Sequence, residues 1–196
     1  MNPSDMPSSP RRNFLKALGG FAALPVLSSA QSGNNNTPSR PAAAKYMGGF
    51  KAPKLEKVKV AIIGVGARGG GHATQLAGIE GVDFVGICDL VEKRAKNAEA
   101  RVTKRGHNPK VYFGEEEAWI KMLSETKPDA VFIATPWDHH APMCIGAMNA
   151  GAHAFCEVPI AVTLKEMWDI VDTSEATGRH CMMMENVNYG RENFSI

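Results

Sequence analysis

The sequence predicts an α/β fold, a doubly wound parallel sheet with helices on both faces. Three observations lead there. From Val58 onward, short β-branched runs alternate with longer segments of helical character, the pattern of a parallel sheet covered by crossover helices. The first run breaks at a glycine-rich turn, GVGARG, residues 64–69. The later runs end in polar clusters, TPWDHH, CEVP and MENVNYGRE, as expected where ligands meet the carboxyl ends of parallel strands.

The elements follow in order. VKVAII (58–63) is short, β-branched and bounded by glycine, a strand buried on both faces. GHATQLAG (71–78) is a helix and VDFVGIC (82–88) a second strand. LVEKRAKNAEARVTKRG (90–106) is helical. Its basic residues Lys93, Arg94, Lys96, Arg101, Lys104 and Arg105 are interspersed with Glu92 and Glu99, which reads as a solvated face. PKVYF (109–113) is a weak third strand, and EEEAWIKMLSET (115–126) a helix with acids in its first turn, where they favour the dipole. DAVFIAT (129–135) is the fourth strand, and HHAPMCIGAMNAG (139–151) a helix that glycine can terminate. AHAFCEV (152–158), LKEMWDIVDTSEATG (164–178) and HCMMME (180–185) supply a fifth strand, a helix and a sixth strand. Met182, Met183 and Met184 are assigned to the core. Right-handed crossovers then wind the sheet in both directions.

The 196 residues are 44% apolar and 21% charged, enough for one packed domain. A formal net charge of +2 gives no reason to expect nucleic acid as a partner. Cys88, Cys144, Cys156 and Cys181 have neither CxxC nor metal-ligand spacing and read as small buried hydrophobes. At the amino terminus, SSPRRNFLKALGG places Arg11 and Arg12 ahead of an apolar run, the pattern of a twin-arginine leader. A basic tail with a chance apolar patch is the alternative. The run is shorter than the roughly 20 residues that cross a bilayer, so no stable membrane anchor is expected. Cleavage is expected after Ala30, with the protein passing through the twin-arginine machinery to a periplasmic or secreted location. Residues 31–57, rich in Asn, Ser, Pro, Ala and Gly, read as a linker.

The turn carries the chemistry. Gly64 permits a tight bend, Gly66 lets the amides of Ala67 and Arg68 approach a pyrophosphate, and Gly69 lets helix and strand pack closely. Asp89, at the end of the second strand, suits the ribose hydroxyls of an adenine dinucleotide and favours NAD; Arg94, one helical turn on, leaves a 2′-phosphate open. This is a Rossmann-like dinucleotide-binding domain. Trp137 is placed to pack on nicotinamide or ribose, with Asp138, His139 and His140 opening the helix beside it. Adjacent histidines face different sides of a helix, so no metal site is expected; either one as a helix cap is the plain alternative. Glu157 follows a buried apolar run, where a carboxylate needs a partner; backbone amides would serve as well as a ligand.

Across residues 58–190 the chain resembles the Gfo/Idh/MocA oxidoreductase family, on VGARG, ICD and TPWDHHAPMCIGAMNAGAHAFCEVP. Where that family usually carries Glu-Lys-Pro, with its lysine beside the substrate, this chain has Glu157-Val158-Pro159. That variant, MMMENVNYGRE and the leader together make it similar to glycoside hydrolase family 109, α-N-acetylgalactosaminidases that keep NAD as a recycled cofactor. The resemblance implies NAD contacts at Arg68, Asp89, Trp137, Asp138, His139, His140, Glu157, Val158 and Asn186, with Tyr189 facing the sugar. It also implies transient oxidation at sugar C3, loss of the acidified C2 proton, elimination of the anomeric group, and return of the hydride after water adds. The substrate is a glycan or glycoside carrying N-acetylgalactosamine. A Gfo/Idh/MocA-type sugar or polyol oxidoreductase using NAD(P) is the alternative, and a catalytically silent dinucleotide-binding fragment is a third. The likeness ends at YGRE: residues 191–196 are a non-matching tail, and the α/β substrate domain that the family carries next is expected to be missing. A longer form could oligomerise; these residues leave the oligomeric state open.

Overall fold

The structure, a computed structural model, describes residues 45–185. The leader, most of the linker, Asn186, Tyr189 and the tail lie outside those residues. Among the described residues, six strands form one parallel sheet in the order β3-β2-β1-β4-β5-β6, with β1 Val58–Ile63, β2 Val82–Asp89, β3 Lys110–Phe113, β4 Ala130–Ile133, β5 His153–Cys156 and β6 Cys181–Met183. The helices between them are α1 Ala67–Leu76, α2 Glu92–Thr103, α3 Ala118–Thr126, α4 His140–Asn149 and α5 Leu164–Thr177. A single 3-10 turn, Trp137–His139, leads into α4. The doubly wound parallel sheet expected from the sequence is the one observed.

Alternation along the central strand explains the two layers. Val60 and Ile62 pack with Phe84, Ile87, Ala95, Ala98 and Val102 on the side of α1 and α2. Ala61 and Ile63 pack with Met122, Leu123, Cys144 and Met148 on the side of α3 and α4. Successive strand side chains point to opposite faces, so a continuous apolar strand feeds both cores. β1 pairs with β2 on one edge and β4 on the other. The strand order therefore reverses between β1 and β4, and the crevice for a ligand lies at the carboxyl ends there.

Several sequence expectations are corrected. α1 starts at Ala67, within the glycine turn, because Gly66 is followed by residues free to be helical. The acids Glu115 and Glu116 precede α3 instead of filling its first turn, and Glu117 is its N-cap. Met182 and Met183 are not core. They are 43% and 41% exposed, since β6 pairs only with β5 and nothing among the described residues covers its far side. The cysteines carry free thiols, Cys181 half-buried and the other three buried.

At the amino-terminal end of the sheet, His153 opens β5, and its Nδ1 accepts the His180 N–H at 2.9 Å. The two imidazoles lie 5.4 Å apart, with Phe50 5.1 Å from His180. Burial, reinforced by Arg179 and His180 and opposed by Asp129, lowers the His153 pKa below the ordinary 6.5. The folded chain then binds fewer protons than the unfolded chain, so this contribution is complete above about pH 6.5 and is lost as pH falls through the depressed value. Urea unfolding at pH 7.5 and 5.5 should show lower stability at the acid pH. His153→Asn, whose Oδ1 can accept the same amide, should shrink that difference; an unchanged difference would assign it to other groups.

Candidate dinucleotide site

The turn after β1 is built by backbone constraints. Gly64 has φ +83°, a conformation that side chains rarely adopt, and its N–H donates to the Cys88 carbonyl at 2.8 Å. A Cβ there would lie 2.7 Å from the Ala134 carbonyl oxygen. A Cβ on Gly69 would overlap the Gly64 carbonyl, so α1 can sit this close to β1 only with glycine. Gly66 differs: nothing approaches its Cβ position nearer than Arg94 Nη1 at 4.0 Å. The space in front of it is open.

α1 begins without a side-chain cap. By contrast, α5 has a full capping box, in which Thr163 Oγ1 accepts from Glu166 N and Glu166 Oε2 accepts from Thr163 N. Uncapped first-turn amides, with the partial positive charge of the helix end, form an anion site. Beside them is a crevice of about 390 Å³, lined among others by Gly64, Gly66, Asp89, Arg94, Thr135 and His139. A narrow turn, an open Gly66 and an uncapped helix end fit the diphosphate of a dinucleotide.

Asp89 is 7% exposed. Its Oδ2 accepts from Val65 N and its Oδ1 from Val91 N, both at 2.8 Å, so it ties the glycine turn to the start of α2. Each carboxylate oxygen can accept a second bond, which leaves capacity for a ribose hydroxyl. Cys88 also lines the crevice. Burial, and secondarily the Asp89 carboxylate, push its thiol up to about 12, so it is a wall and not a nucleophile. Glu115, Glu116 and Glu117 line the same crevice as Arg94, although the sequence places them in the helix.

The histidines separate as expected from their adjacency. His139 faces the crevice, while His140 is 1% exposed. His140 Nδ1 and Nε2 lie 2.6 Å and 2.8 Å from the carbonyl oxygens of Pro159 and Thr135. That makes it a strut joining the ends of β4 and β5, a role that neither the cofactor nor the capping expectation included. Trp137 is 64% exposed and Val158 43%; Asp138 is exposed beside them. Among the described residues, no backbone amide bonds the Glu157 carboxylate. Its Oε1 lies 2.6 Å from His72 Nε2 and 3.3 Å from Arg68 Nε. His72 was missed in the sequence, although its spacing of four from Arg68 places both on one face of α1.

A parallel sheet with a glycine turn, an uncapped helix and an acid after β2 defines a dinucleotide-binding domain of the Rossmann type. A family model described as an oxidoreductase family with an NAD-binding Rossmann fold matches residues 58–185. The chain belongs to the Gfo/Idh/MocA family, and its cofactor is NAD. It is 48% identical to glycosyl hydrolase family 109 protein 2 of Akkermansia muciniphila, over 94% of this chain and 42% of that protein. It is 43% identical to an alpha-N-acetylgalactosaminidase of Shewanella oneidensis, over 95% of this chain and 41% of that one. Among solved structures, myo-inositol 2-dehydrogenase of Lactobacillus plantarum matches with a TM-score of 0.60 and 28% identity, over 69% of this chain and 38% of that one. The chain thus spans about two-fifths of the length of these relatives.

Proposed function

We propose that the chain is the nucleotide-binding part of an NAD-dependent glycoside hydrolase that removes terminal α-N-acetylgalactosamine. The similarity to a protein named for glycosyl hydrolase family 109 and to one named alpha-N-acetylgalactosaminidase, on a crevice suited to NAD, carries the reading. When bound, NAD supplies a hydride acceptor and donor, so a sugar carbon can be oxidised and restored within one turnover. The uncapped start of α1 and the open Gly66 take the diphosphate. Asp89 takes the adenosine ribose, and Glu157, held by Arg68 and His72, faces the other half. Arg68, Trp137, Asp138, His139, Val158 and Asn186 complete the proposed contacts, with Tyr189 toward the sugar. Val158 stands where a lysine would offer a base, so proton removal falls to another residue.

The family's oxidoreductase name and the myo-inositol dehydrogenase neighbour support the second reading, a net sugar or polyol oxidoreductase. One assay separates them. A form extended by the segment that the relatives carry should release phenol from an aryl α-N-acetylgalactosaminide with no net accumulation of NADH. Steady NADH production from a free sugar would instead establish the oxidoreductase.

Export by the twin-arginine route belongs to the same proposal. NAD is a cytoplasmic cofactor, and a passenger that folds before export can carry it along. Fused to a reporter, residues 1–30 should deliver it to the periplasm, and Arg11→Lys with Arg12→Lys should retain it in the cytoplasm. Export unaffected by that pair would refute the route.

A further inference from the structure

Glu157 closes β5, Arg68 and His72 lie on α1, and β4 runs between β5 and β1. The contacts from α1 to Glu157 therefore bridge the switch point of the sheet. Both bases converge on a single oxygen, Oε1. The Glu157 side chain is 14% exposed and that of His72 23%, against 57% for Arg68. The shorter and better shielded contact is thus the one to histidine, and in that setting a charge-assisted hydrogen bond is at its strongest. With one oxygen gripped, the carboxylate keeps acceptor capacity on the other.

We propose that His72 is a positioning residue for the cofactor: it fixes the Glu157 carboxylate so that Glu157 can receive the ribose hydroxyls of the nicotinamide half of NAD. The inference rests on the NAD reading of the crevice. With Asp89 serving the adenosine ribose at the end of β2, the nicotinamide half extends toward the ends of β4 and β5, where Glu157 lies. Arg68 is the weaker restraint, since its Nε lies 3.3 Å from Glu157 Oε1 and its side chain is 57% exposed. Without His72 the carboxylate would be free to follow the guanidinium, and the nicotinamide half would lose its fixed acceptor.

The test compares two ligands on three forms of the whole chain, His72→Leu, His72→Gln and the parent, with affinities for NAD and AMP from calorimetry and ligand-observed NMR. His72→Leu removes the donor and should weaken NAD about tenfold, the size of one lost hydrogen bond to a charged group. It should leave AMP, which never reaches Glu157, unchanged. His72→Gln offers an amide donor from the same side and should restore most of the NAD affinity. Undiminished NAD binding by His72→Leu overturns the proposal, as does a parallel loss of NAD and AMP, which would mark a merely structural residue. Failure of the glutamine variant to recover NAD binding while AMP binding stays intact also counts against it. If the parent chain binds neither ligand, or binds NAD no better than AMP, the reading of the crevice fails, and this inference with it.

Discussion

Gly69→Ala is expected to lower folding stability by about 3 kcal/mol, at the upper end of what overpacking costs, and to bring NAD binding below detection. Two effects compete. Alanine is the better helix former by about 1 kcal/mol, and position 69 lies inside α1. The added methyl, however, would overlap the Gly64 carbonyl, with Ala134 Cβ a further 3.2 Å away. The obstacle is backbone that cannot rotate aside, so α1 must move away from β1. Gly71→Ala is the control. It adds the same methyl to the same helix with nothing within 4 Å, and should raise stability by about 0.5–1 kcal/mol. Urea unfolding followed by circular dichroism measures both. Equal responses at the two positions would refute the close-packing account of the turn.

His140→Ala should cost about 3 kcal/mol, close to 10 °C in melting temperature for a chain of this size. The imidazole is almost fully buried and meets carbonyl oxygens at both nitrogens. Alanine leaves a cavity and removes the single N–H that a neutral imidazole can offer to one of the two carbonyls. His140→Gln can reach only one of the two carbonyls and should recover part of the loss. The same variants should loosen the segment between Glu157 and Thr163, seen as faster amide exchange there, because Pro159 is the outer anchor of the strut. A melting temperature within 2 °C of the parent's would show that the two carbonyls find other partners.

The sheet and its winding direction were legible because the signals were local and repeated. Each strand is a short apolar run, the strands alternate with longer helical segments, and GVGARG stands between the first of each. The glycine roles were legible too, since a positive φ at Gly64 and contact at Gly69 are backbone matters tied to particular positions. What escaped was long-range. Glu157 and His72 are separated by 85 residues, and no periodicity reports which carboxylate a helix will meet across β4. The resemblance places His140 among the NAD contacts; its burial against the Pro159 carbonyl depends on where that loop passes, which no local pattern reports. Met182 and Met183 were misassigned since hydropathy does not tell a central strand from an edge strand. The acids 115–117 carry helix-start chemistry, yet they ended in the crevice wall, because α3 begins one residue after Glu117.

The wall behind Gly64 consists of Ala134 and Thr135, which follow β4 about seventy residues after the turn itself. On a ribosome, a nascent chain would therefore have β1, α1 and β2, with the Cys88 and Asp89 contacts of the bend, before the wall behind Gly64 existed. Its capacity to capture a nucleotide should emerge abruptly, once synthesis passes β4, instead of growing with chain length.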